Sequence, residues 1–103
     1  MITVPVTAIP SQAFSIVLAL QKCQIAIYQK GQYLFFDLSI NGSPIVTTRM
    51  CQNRIRLLLD AQYYGFVGDF VFVDTQGDTP PAYTGLGDRY KLLYLEASDL
   101  NGN

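Results

Sequence analysis

An all-β fold, either a small antiparallel sandwich or a partly closed barrel of about seven short strands, is predicted by three features of the sequence. Segments of alternating or continuous apolar character recur along the chain. Turn-forming residues separate them at roughly 8 to 12-residue spacing. The stretch near residues 57–66 that could begin a helix is soon broken by Gly65 and Gly68. With 103 residues and no shift in composition along the chain, one domain over residues 1–103 is expected, with a short polar tail from about residue 97.

The first two strands are expected over Ile2 to Thr7 and Ala13 to Leu20, both rich in β-branched and apolar residues. The loop Ile9-Pro10-Ser11-Gln12 parts them, since proline removes a ladder donor. Cys23, Ile25 and Ile27 then alternate with Gln24, Ala26 and Tyr28. After Lys30-Gly31, Leu34, Phe36, Leu38 and Ile40 share one face, which predicts a hairpin. The opposite face of its second strand carries Tyr33, Phe35, Asp37 and Ser39, a mixture that suits either water or a partner. Asn41-Gly42-Ser43-Pro44 is a turn, because asparagine and glycine tolerate positive φ. A strand follows from Ile45 to Cys51, and Arg54 and Arg56 alternate with Ile55 and Leu57 as a further two-sided segment. Residues 57–66 form an irregular connection, because Gly65 and Gly68 end any helical turn. Asp69 to Asp74 is a strand with Phe70 and Phe72 on one side and Val71 and Val73 on the other, buried on both faces. Gln76 to Pro81 is a loop, and Arg89 to Glu96 is the last strand.

Composition narrows the function. Half the residues are hydrophobic, 15% are charged and 13% are aromatic, where about 25% charged is usual. A small domain is mostly surface, so this deficit points to an exterior that is partly apolar and meets other proteins. The seven tyrosines suit a surface that is wet before assembly and dry after it, although a tyrosine-rich β core accounts for them too. A net charge of −1 supplies no field to attract nucleic acid or an anionic membrane, so neither is an expected partner. No basic residue precedes the apolar stretch Phe14 to Leu20 and prolines interrupt its approach, so no export signal is expected. Cys23 and Cys51, the two cysteines, are accordingly expected buried and reduced.

Catalytic chemistry has little to work with. The chain lacks histidine, and with it the usual general base, metal ligand and nucleophile activator. No catalytic, cofactor or metal residue is assigned. Asp74 and Asp78 flank Thr75-Gln76-Gly77, where aspartates bond local amides in a turn more readily than they catalyse or hold calcium. Gly85-Leu86-Gly87 leads into a strand rather than a helix, which suits a turn and not a phosphate loop.

The contact candidates are aromatic and basic. Tyr63, Tyr64 and Phe66 crowd one connection around a glycine and are hard to bury together, which favours docking slightly over a purely core role, and Tyr83 in the following loop is a candidate for the same patch. Arg49, Arg54 and Arg56 form the one local basic cluster, suited first to a solvated strand face, then to an acidic neighbouring subunit, and least to nucleic acid, which no wider basic surface supports.

Four segments in this order carry a resemblance: Ile9-Pro10-Ser11-Gln12-Ala13-Phe14; Arg49-Met50-Cys51-Gln52-Asn53-Arg54; Gly68-Asp69-Phe70-Val71-Phe72-Val73-Asp74-Thr75-Gln76-Gly77-Asp78; and Tyr83-Thr84-Gly85-Leu86-Gly87-Asp88-Arg89 with Leu93-Tyr94-Leu95. Together they resemble the baseplate plug family of contractile-tailed bacteriophages, over nearly the whole chain. The resemblance implies a structural virion protein at the centre of the tail tip. Its partners would be hub, tail tube and spike proteins, met in multiple copies and without a cofactor, and it would be made in the host cytoplasm before assembly. The rival reading is a small β-barrel whose aromatics line a cavity for an apolar ligand. An acid-base enzyme working with carboxylates is a third.

Overall fold

The computed structural model describes residues 1–58, 67–96 and 99. Among these residues, seven strands form two antiparallel sheets. β1 (Ile2–Val4), β7 (Tyr90–Leu95) and β6 (Asp69–Asp74) make the smaller sheet in the order β1-β7-β6. β2 (Ser11–Leu18), β3 (Gln21–Lys30), β4 (Tyr33–Ile40) and β5 (Ser43–Met50) make the larger, in sequence order. The sheets do not close on each other, so of the two expected architectures the chain adopts the sandwich.

The core follows from the alternation. Cys23, Ile25 and Ile27 on β3, with Leu34, Phe36 and Leu38 on β4, are at most 1% exposed and face the other sheet. That sheet returns Phe70, Phe72, Leu92 and Tyr94, all fully buried. The Phe36 and Phe70 rings meet across the gap with centroids 5.4 Å apart, and Phe70 meets Tyr94 at the same distance. Tilted pairs of this kind add about 0.5–1.5 kcal/mol each beyond their buried area. β6 is buried on both faces apart from half-buried Val73, in line with its continuous apolar sequence.

Boundaries shift where local chemistry intervenes. β1 stops at Val4, because Pro5 has no N–H to continue the ladder. Ser43 and Pro44 belong to β5 rather than to a four-residue turn, and Pro44 is tolerated because β5 is an edge strand. The expected two-sided segment at Arg54 to Leu57 is not a strand. Arg54 sits at φ +61° and the backbone N–H of Ile55 turns back to the carbonyl of Gln52, so the segment meets β6 through isolated bridges at Asn53 and Arg56 rather than as a ladder. The connection expected at residues 57–66 lies mostly outside the described residues.

All three hairpins of the larger sheet close through two residues. Gly31 (φ +63°) begins one and Asn41-Gly42 (φ +51° and +88°) forms another, both favoured chemistries for such turns. The third is Ala19-Leu20 at φ +51° and +62°, between the paired Leu18 and Gln21. Neither residue favours the left-handed region, and Leu20 is 98% exposed, so packing does not offset the strain.

Two outcomes follow from this packing. Ala19→Asn with Leu20→Gly relieves the turn and stabilises the domain by about 1 kcal/mol; thermal denaturation should show a melting temperature higher by about 4–8 °C. Cys23 and Cys51 are free thiols, fully buried, and burial pushes the Cys51 thiol up to about 12 and raises that of Cys23. A thiol reagent at neutral pH should label neither in the folded protein and both in denaturant.

Candidate docking surface

Beyond β5, the stretch from Asn53 to Leu57 lies over the β6 edge, held mainly by backbone groups. The N–H of Arg54 donates to the carbonyl of Phe72 and that of Leu57 to the carbonyl of Phe70, each at 2.8 Å. The Asn53 side chain fastens the middle: its Oδ1 accepts from the N–H of Asp74 at 2.8 Å and its Nδ2 donates to Asp78 at 2.6 Å. Leu57, Leu58 and Cys51 anchor the stretch in the core, while Ile55 is left 49% exposed.

Beneath Asn53 lies a buried carboxylate. Asp74 accepts from Arg89 Nε and Nη2 at 2.8 Å each, from the N–H groups of Gln76 and Thr79 and from the Thr79 hydroxyl. The Thr79 hydroxyl also bonds the Tyr90 hydroxyl at 2.9 Å, and the Arg89 guanidinium lies over the Tyr90 ring. Arg89, with the backbone and Thr79 donors behind it, holds the Asp74 carboxyl well below the usual carboxylate range. The arrangement fixes the loop from Thr75 to Asp88 and leaves the carboxylate no open position for a substrate. Asp78 stands apart from it, tied to Asn53. Gly85 ends a 3-10 turn at Tyr83–Gly85 that leads into β7.

The exposed apolar residues of this region meet the outer face of the larger sheet. Tyr33 and Met50 are 40% and 36% exposed and line one shallow depression with Ile55, Asn53, Asp78 and Pro80. Along the sheet, Met50 pairs with Phe35, which stacks on Tyr28, and the Lys30 ammonium lies over the Tyr28 ring. Apolar bodies around a few polar groups are what a protein interface presents. The mixed face of β4 was visible in the alternation of Tyr33 and Phe35 with the core residues. Met50 and Ile55 had no such signal, because a bulged edge strand and a turn expose them.

The sequence-selected residues separate into groups. Arg54 and Arg56 are both exposed on the segment over β6, and Arg56 Nε lies 3.6 Å from the buried Asp69 carboxylate. Arg49 is half-buried on β5, paired with Phe36 of the adjacent β4 in the same sheet. Tyr83 is half-buried against the core, its backbone N–H donating to Gln29 Oε1. Tyr63, Tyr64 and Phe66 lie outside the described residues.

The Asp74 cluster sets an acid limit. A carboxyl whose folded pKa is depressed contributes stability above its unfolded value, near pH 4, and that stability is lost as pH falls toward the folded value. Chemical denaturation should therefore show stability declining below about pH 4. Asp74→Asn should be less stable at neutral pH, because it strands Arg89, and should decline less steeply in acid.

Comparison with known proteins adds to this geometry. Residues 1–97 match the family described as Cyanophage baseplate Pam3 plug gp18, and a search of the curated proteins finds no match. The match spans both sheets, the Asn53 and Asp74 contacts and the exposed strip beside them, and the chain belongs to the phage baseplate plug family.

Proposed function

We propose that this protein is a structural component of a contractile phage tail, docking to hub, tail tube and spike subunits at the centre of the tail tip rather than catalysing a reaction. The observation that carries the reading is the family match over residues 1–97. The surface supports it: the strip through Tyr33, Met50 and Ile55, bordered by Arg54 and Arg56, offers apolar area and cationic forks to an acidic neighbour. Tyr63, Tyr64, Phe66, Tyr83 and Arg49 are further contact residues in this proposal. Multiple copies would assemble in the host cytoplasm and end in the virion baseplate. The open sandwich, filled by Phe36, Phe70 and Tyr94, gives the ligand-binding barrel no support.

The test is the mass of the chain alone and mixed with the hub, tube and spike proteins encoded beside it. A stable larger complex is expected; a chain that ignores all three overturns the reading. Arg54→Glu combined with Ile55→Ser should weaken that complex at least about tenfold while leaving the melting temperature close to wild type. Arg56 is a poorer probe, since reversing it also places a second acid beside buried Asp69. An equal loss of folding and binding would return Ile55 to the core.

A further inference from the structure

Four strands lie at sheet edges, and three of them are closed to further pairing. β1 has three residues. β6 already accepts hydrogen bonds from Arg54 and Leu57. β5 carries Pro44, an irregular register opposite Leu38 and the left-handed Thr48, whose N–H is taken by the Asp37 carboxylate. These are the devices by which proteins blunt an edge. β2 has none of them: its eight residues run in unbroken register with β3 and include no charge and no proline.

The hairpin fixes which β2 backbone groups are open. Leu18 and Gln21 flank a two-residue turn and so exchange both hydrogen bonds. Alternation then aims the N–H and C=O groups of Gln12, Phe14, Ile16 and Leu18 at β3, and those of Ser11, Ala13, Ser15 and Val17 away from it. The second set are the exposed residues of the strand, and among the described residues no backbone pairs with them. The core-side residues Gln12, Phe14 and Ile16 are only half-buried, as expected where a sheet ends early.

We propose that this edge pairs antiparallel with β2 of a second copy of the chain, about a two-fold axis through Phe14. In that register Ser11 faces the second copy's Val17 and Ala13 its Ser15, so every open donor and acceptor meets one. On the core side Gln12 meets the second copy's Ile16. The two Phe14 rings oppose each other at the axis, at a non-hydrogen-bonded position where side chains come closest. Three features favour this occupant. Neither strand brings a charge to repel the other. The half-buried Phe14 and Ile16 are covered by residues of their own kind. The small side chains of Ser11, Ala13 and Ser15 clear the outer face. The larger sheet then continues through both molecules.

One strand pair is a small interface, so the dimer should form with a dissociation constant on the order of 0.1 mM. Sedimentation from about 10 µM to about 1 mM should show the mass rising from 11.5 kDa toward twice that. Over the same range, amide exchange by NMR should show Ser11, Ala13, Ser15 and Val17 gaining protection, with Gln12, Phe14, Ile16 and Leu18 protected throughout. Ala13→Pro removes an outward donor without touching the β3 ladder, and should weaken the dimer at least about tenfold. Ser15→Lys, a change with little folding risk, should do the same. A monomer at 1 mM overturns the proposal and leaves the edge to an extended segment of another protein. A dimer that ignores both substitutions, with those four amides still exchanging, overturns it equally.

Discussion

A carboxylate shut away from water must find its partners within the protein, and Asp74 finds all of them in residues that would otherwise hang loose. Its side chain stands at the end of the row in which β6 faces the other sheet, beside Tyr90 and 2% exposed. A charge placed there without compensation would cost far more than one contact returns. Arg89 supplies both a counter-charge and a bidentate fork, and Thr79 and the amides of the loop fill the remaining acceptor positions. The neighbouring backbone is drawn in as well, since the N–H of Asp74 is held by Asn53 and through it the segment over β6. The loop between β6 and β7 and the turn that presents Ile55 are therefore positioned by one charge cluster. Catalytic carboxylates keep a face open to substrate; this one is closed by the protein and acts as a fastener.

The tyrosines show why composition alone leaves the core and surface readings open. Tyr90 and Tyr94 are buried, and each keeps its hydroxyl bonded, to Thr79 and to the carbonyl of Val67. Tyr28 is half-buried with its hydroxyl donating to Asp37, which in turn caps the bulge at Thr48. Tyr33 is exposed. A phenol suits each of these places for the same reason, an apolar ring with one polar end. Part of the charge deficit is thus a property of the core, and the rest is a property of the outer face of the larger sheet.

What was legible in the sequence was whatever depends on near neighbours. The alternation from Cys23 to Ile40 set the central hairpin, its core face and its mixed face, and Asn41-Gly42 marked the turn that leads on from it into β5. The Asp74 turn was visible for the same reason, since its amide partners Gln76 and Thr79 are a few residues away. The partnership with Arg89 spans a loop and left no local pattern. Ala19-Leu20 was opaque in another way: neither residue is turn vocabulary, and the pairing of Leu18 with Gln21 imposes the conformation on them. Arg54 to Leu57 failed through the opposite error. A period of two was present, but a left-handed Arg54 broke the extended backbone that gives such a period meaning.

That failure bears on how the arginines should be understood. On a strand, Arg54 and Arg56 would project side by side from one face as a matched pair. On the turn that the chain forms, they are held separately, and Arg56 leans toward Asp69, whose carboxylate also accepts from the N–H groups of Leu58 and Phe70. Part of the charge of Arg56 therefore answers an acid of its own chain, whereas Arg54 extends from a backbone already fixed by Phe72. A cation on a rigid turn beside an exposed isoleucine loses little freedom when a partner arrives, which is the condition under which a few residues carry most of an interface. The sequence marks three arginines as equivalent; the fold makes Arg54 the one least committed elsewhere.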